Sequence, residues 1–134
     1  MATFSPQERE LFDGRNLAHL ATVCMDGGPS VSPVWVMLEG ERIVVNSAEG
    51  RLKVSNMRRD PRVGISIHDQ GNLYRMVSVR GRVIEMTTED GDEVIDRLSE
   101  KYTGNPVYRG RRPDQVRVTI RIEAEQVASM GLGH

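Results

Sequence analysis

Apolar and polar residues alternate in short runs along most of this chain. Val63, Ile65 and Ile67 alternate with Gly64, Ser66 and His68, and Val116, Val118, Ile120 and Ile122 alternate with Arg117, Thr119, Arg121 and Glu123. A period of two belongs to a strand with one buried face, so both stretches are expected to be strands. The longest such run, Tyr74 to Met86, places Val77, Val79, Gly81 and Val83 on one side and Ser78, Arg80 and Arg82 on the other. Gly81 inside it points to a bulge or sharp coil where a barrel closes. Leu17 to Cys24 alternates more weakly and ends at Met25-Asp26-Gly27-Gly28, a hairpin signal. Ser32 to Met37 and Arg42 to Ser47 flank a tight turn at Glu39-Gly40.

Helical signals occur three times. Ser5-Pro6-Gln7-Glu8 has capping-box order, with Leu11 and Phe12 following and Gly14 available as a stop. A basic segment runs from Arg51 to about Asp60, where Pro61 ends it. Thr87 or Thr88, then Glu89, Asp90, Asp92 and Glu93, open a helix whose apolar stripe is Val94, Ile95, Leu98 and Tyr102, and Gly104 with Asn105-Pro106 terminates it. Six strands with three helices predict a small β-barrel, because a parallel sheet would need a helix between successive strands. At 134 residues the chain is expected to form a single domain, 1–134, burying roughly two-thirds of its extended surface.

Composition narrows the partners. Hydrophobic residues at 38% and charged residues at 28% give an ordinary globular balance, and a net charge of −1 supplies no global field for nucleic acid or an anionic membrane. Aromatics, 4% of the chain, are too few for a base-stacking face. The single Cys24 allows no intrachain disulfide and reads as a buried structural thiol in a reducing compartment. With no span-length apolar run and no signal-peptide features in Met1 to Ser5, a cytoplasmic protein is expected. No second histidine stands at metal-ligand spacing from His68, so no metal site is expected.

Candidate chemistry concentrates between Ser32 and Pro61. The hairpin delivers the chain through Glu49-Gly50 into a helix start, where free N–H groups and the dipole favour an anion, and Arg51 and Lys53 add cations. The same cations, with Arg58 and Arg59, also fit the solvated face of a surface helix. Pro33 inside a strand removes a ladder donor and signals an edge, a bulge or backbone turned toward a ligand. Trp35, the sole tryptophan, suits core or interface packing. These residues fit a phosphate-bearing ligand whose flat part lies along Pro33 to Met37, and equally a surface helix beside a plain edge strand; spacing alone does not decide between them.

Ser32-Pro33-Val34-Trp35-Val36, Asn46-Ser47 with Gly50-Arg51-Leu52-Lys53, and Asn56 to Val63 resemble the split-barrel flavin and deazaflavin reductases related to pyridoxamine 5′-phosphate oxidase. More narrowly, they resemble the branch that uses the deazaflavin coenzyme F420. The similarity continues through Val79 to Val83 and Asp96 to Gly104, covering about Leu11 to Val127. It implies a mainly β fold with flanking helices, a six-stranded split β-barrel, and a homodimer with the coenzyme at the subunit interface. It also implies hydride transfer from reduced F420 to an unsaturated small-molecule substrate. Pro33, Val34, Trp35 and Val36 would then present backbone to the ring. Ser47, Arg51, Lys53 and Asn56 would hold the phosphate and ribityl region, Asn46 would be a further contact, and Arg58 or Arg59 would meet the acidic glutamyl tail. The alternatives are FMN in the same fold, as an oxidase or flavin reductase, and a non-catalytic carrier. A true pyridoxamine 5′-phosphate oxidase is expected to carry a further C-terminal substrate-binding segment, whereas only Ala128 to His134 follow Val127. No residue declares itself catalytic, and Tyr74, Tyr102, Tyr108, His19, His68 or water are the proton-donor candidates.

Overall fold

The structure, a computed structural model, describes residues 1–132; Gly133 and His134, the end of the tail after Val127, lie outside the described residues. The capping box forms: Ser5 Oγ accepts the Glu8 N–H at 3.2 Å and Glu8 Oε1 accepts the Ser5 N–H at 2.8 Å. Helix α1 (Pro6–Asp13) follows and buries Leu11 and Phe12. Then come β1 (Ala18–Val23), β2 (Pro29–Val34), β3 (Met37–Glu39), β4 (Arg42–Ala48), α2 (Leu52–Arg59), β5 (Arg62–Asp69), β6 (Asn72–Thr87), α3 (Gly91–Thr103) and β7 (Arg117–Met130).

The described strands number seven, not the six expected, and form one antiparallel sheet in the order β2-β1-β5-β6-β7-β4-β3. The extra strand arises because the run Ser32 to Met37 is split. After Val34 the chain leaves β1, and at Met37 it joins β4, at the opposite edge of the sheet. Only Trp35 and Val36 separate the two edges, a reach of at most ~11 Å across trans peptides. The sheet must therefore curl until its edges meet at a seam that carries no strand pairing. Helix α1 packs both on β3, at one edge of the sheet, and on the neighbouring strands β5 and β6, at least three places away in sheet order, as this curl requires.

Side chains from α3 close the seam. The Val36 N–H donates to Tyr102 Oη at 3.2 Å, and its carbonyl accepts from Lys101 Nζ at 2.6 Å. Lys101 Nζ also donates to the Phe12 carbonyl at the end of α1. Burial without a carboxylate partner lowers the Lys101 pKa to about 8, and the distant Asp13 offsets part of that shift.

Gly81 lies at a register shift between β6 and β7, as the sequence predicted, and a second shift falls between Val83 and Glu85. Strand β7 is longer than expected, continuing past Glu123 to Met130 alongside β6. Ala124 and Val127 stand three residues apart, because the register shift opposite Arg80 and Gly81 leaves Glu125 extra and breaks the alternation there.

The main core fills the barrel with residues such as Leu20, Ile43, Val45, Ile65, Ile67, Ile120 and Ile122. A second cluster joins Val44 of β4 to Val94, Ile95 and Leu98 of α3, with Trp35, Tyr102 and Tyr108 packed against it. At roughly 1.5–3 kcal/mol for each large apolar side chain fully buried, this cluster fixes α3 on the sheet. Arg121 of β7 adds a polar tie, reaching Glu39 at 2.8 Å, Glu85 at 2.8 Å and Asp90 at 2.6 Å.

Candidate functional site

Strand β4 ends in Asn46 and Ser47, and the chain turns at Gly50, whose φ of 89° lies in the left-handed region that glycine adopts without strain. Arg51 then occupies the N-cap of α2 in extended conformation, and no side chain caps the helix. Its first N–H groups thus remain available to an external acceptor. The start of α2 faces the seam across a cavity of about 260 Å³. Pro33, Val34 and Trp35 line it from the seam, Asn46 and Ser47 from β4, and Arg51 and Lys53 from α2. Leu17, Ile95, Leu98, Tyr108 and Arg117 complete the wall.

Three cations meet here without counter-charge. Among the described residues, none of the ion pairs involves Arg51, Lys53 or Arg117. Burial, then repulsion from Arg51 and Arg117, pulls the Lys53 ammonium below its usual pKa. Burial also lowers Arg117, with Arg51 and Arg111 acting in the same direction against Tyr108 and Asp92. Arg117 is 8% exposed and its neighbours are neutral: Nε donates to Asn46 Oδ1 at 2.9 Å, Nη1 donates to Gln115 Oε1 at 3.2 Å, and the Tyr108 ring lies 5.3 Å away. A concave site holding this much uncompensated positive charge favours a phosphate-bearing anion. Trp35 supplies a flat wall, stacked on Tyr102 at 5.4 Å with 6° between ring planes and edge-on to Tyr108 at 6.0 Å.

The cavity brings together Pro33, Val34, Trp35, Asn46, Ser47, Arg51 and Lys53 of the residues singled out in the sequence. It does not include Val36, Asn56 or Arg58. Val36 is buried with its backbone groups tied to α3. Asn56 is buried beneath α2, where Nδ2 donates to Thr22 Oγ1 at 3.1 Å and Oδ1 accepts from Arg59 at 3.0 Å. Arg58 makes a two-pronged ion pair with Glu49, and Arg59 also donates to the Val23 carbonyl at 2.7 Å. Cys24 is half-buried at the edge of the Asn56 cluster.

Sequence reasoning missed Arg117, Leu17, Ile95 and Leu98 as parts of this site, and it named Tyr108 only as a proton-donor candidate. Arg117 reads as one more polar position of an alternating strand, and only its register opposite Ala48 brings it beside Asn46. Of the proton-donor candidates, Tyr108 alone lines this cavity; Tyr102 is occupied by the Asn16 carbonyl at 2.6 Å and by Val36.

The family described as Pyridoxamine 5′-phosphate oxidase matches residues 4–131. Among solved structures, an F420 reductase is 28% identical, with a TM-score of 0.81 over 90% of this chain and 94% of that one. A conserved hypothetical protein from Mycobacterium tuberculosis is also 28% identical, with a TM-score of 0.73 over 98% of this chain and 91% of that one. The HupZ protein of Group A Streptococcus shares the fold at 18% identity, with a TM-score of 0.68 over 98% of each chain.

Proposed function

Since the chain belongs to the pyridoxamine 5′-phosphate oxidase family, we propose that it is an oxidoreductase working with a flavin-type coenzyme, and that the coenzyme is the deazaflavin F420. One observation carries this reading: Arg51, Lys53 and Arg117 converge without counter-charge on a cavity walled by Trp35 and the barrel seam. The likeness to an F420 reductase supports the choice of deazaflavin over FMN. When bound in reduced form, the coenzyme supplies a hydride; reduction of a carbon–carbon double bond takes that hydride and one proton, and the coenzyme is oxidised by two electrons.

The protein's part is positional. Arg51, Lys53, Arg117 and the open start of α2 bind the phosphate, with Ser47 beside them. The backbone of Pro33 and Val34 and the face of Trp35 orient the ring and exclude water from one side. Trp35 is the only tryptophan, so titration of its fluorescence with F420 and with FMN tests the reading. F420 is expected to bind more tightly. A clear preference for FMN would transfer the site to a flavin oxidase or flavin reductase.

The cavity rim is also apolar and exposed. Leu17, Leu52 and Val116, adjoining or lining the site, are each about half or more exposed. We propose that a second copy covers this rim and completes the coenzyme site, a cost-effective way to bury apolar surface on a small barrel. Sedimentation at micromolar concentration should give a dimer. A monomer that still binds coenzyme tightly would contradict a shared site.

A further inference from the structure

Trp35 and Tyr108 line two cavities, not one. The second, about 580 Å³, is formed with Ser99 and Thr103 of α3 and with the loop from Gly104 to Gly110. Its volume suits a small organic ligand, since such sites span roughly 300–1,000 Å³. We propose that this cavity binds the second reactant and that its ligand class is a planar, unsaturated organic anion, with Arg109 as the charge partner. The proposal rests on the first cavity being the coenzyme site, because the shared Trp35–Tyr108 wall would then hold the two reactants side by side.

The chemistry of the lining selects the ligand. The polar groups of α3 and the loop are committed internally: Ser99 Oγ donates to the Asn105 carbonyl at 2.9 Å, Thr103 Oγ1 donates to the Ser99 carbonyl at 2.7 Å, and Asn105 Oδ1 accepts the Val107 N–H at 3.0 Å. A sugar or polyol would find few free partners. What remains is an aromatic surface from Trp35 and Tyr108, the ring of Pro106, the Asn105 amide N–H groups and the Tyr108 hydroxyl, and one cation. No carboxylate lines the cavity. Arg111, two residues on, is neutralised by Asp96 at 2.7 Å and Asp92 at 3.2 Å, whereas Arg109 takes part in none of the ion pairs among the described residues.

The cavity is also preformed. Gly104, at φ 81°, ends α3 in a left-handed turn, and the Tyr108 N–H donates to Asp96 Oδ1 at 2.8 Å. A Cβ on Gly110 would stand 2.4 Å from Tyr108 Oη, so the absence of a side chain there lets the phenol lie against the loop. Tyr108 is thereby held between the loop and Arg117.

The test uses trans-cinnamate as the probe and uncharged cinnamamide as its control, both titrated by equilibrium dialysis into coenzyme-free protein. Wild type is expected to prefer cinnamate by about tenfold, the worth of one charge-assisted contact. Arg109→Gln should abolish that preference while leaving cinnamamide affinity unchanged. Lys53→Ala should change neither, and FMN should displace neither probe. The proposal is overturned if no saturable cinnamate binding occurs or if the preference survives in Arg109→Gln. Loss of binding in Lys53→Ala would also overturn it, because the probe would then sit in the first cavity. Displacement by F420 but not by FMN would assign the cavity to the coenzyme's acidic tail and likewise overturn it. Because the comparison of the two probes in wild type and Arg109→Gln needs no coenzyme, failure of the coenzyme reading shows separately, in the fluorescence titration.

Discussion

Lys53→Ala should weaken binding of the phosphorylated deazaflavin by about ten- to a hundredfold, the worth of one charge-assisted contact in a desolvated site. Fold stability should stay the same or rise slightly, within about 1 kcal/mol. The two expectations have one cause. Burial and the neighbouring Arg51 and Arg117 hold the Lys53 pKa below its usual value, so the charged amine is less favourable in the folded chain than in the unfolded one. Removing it relieves that cost and also removes a ligand for the phosphate. Calorimetric titration alongside urea unfolding separates the two effects. If Lys53 were merely a solvated surface cation, both quantities would move by less than about half a kcal/mol.

Gly91→Ala should act in the opposite way, costing about 3 kcal/mol or more of stability. Helix propensity alone predicts a gain of roughly 0.5–1 kcal/mol for alanine at a helical position. The close approach of α3 to β7 outweighs it. A Cβ at Gly91 would stand 2.2 Å from the Arg117 carbonyl oxygen and 2.6 Å from its carbonyl carbon, and backbone cannot swing aside as a side chain can. The first turn of α3 would have to lift from the strand, with two consequences at the site. Ile95 and Leu98, which line the cavity, belong to that helix. Asn46 also bridges the two elements, donating to the Gly91 carbonyl at 2.9 Å while holding Arg117 Nε at 2.9 Å. Coenzyme affinity should therefore fall together with the urea midpoint. An alanine variant as stable as wild type would mean that α3 does not sit this close to β7.

The parts legible in the sequence were those fixed by local rules. Alternation placed β5 and the first half of β7, the capping box placed α1, and the acidic first turn with its apolar stripe placed α3. The start of α2 could be read as an anion site because Gly50, Arg51 and Lys53 are contiguous. What stayed hidden depends on residues distant in the chain. Pro33 signals the edge strand β2, but the crossing at Trp35 and Val36 stays hidden, because the partners that satisfy Val36 are Lys101 and Tyr102 on a helix far along the chain. Arg58 reads as a free cation in the sequence, but Glu49, across the turn into α2, pairs with it. Asn56 reads as a polar helix residue but lies a turn deeper than Lys53 and meets Thr22 and Cys24 of the neighbouring chain segment. Asn46 was legible as part of the site, yet its carbonyl and amide are both engaged, which makes it a strut for Arg117 as well as part of the wall.

The central claim is that Arg51, Lys53 and Arg117 recognise a phosphate on a deazaflavin. It is tested most directly by titrating wild type and Lys53→Ala with F420 and with its phosphate-free ribityl fragment. The account predicts that wild type prefers the phosphorylated coenzyme by at least about tenfold and that the variant loses most of this preference while binding the fragment as wild type does. Equal preference in the two proteins would place the phosphate elsewhere and contradict the account.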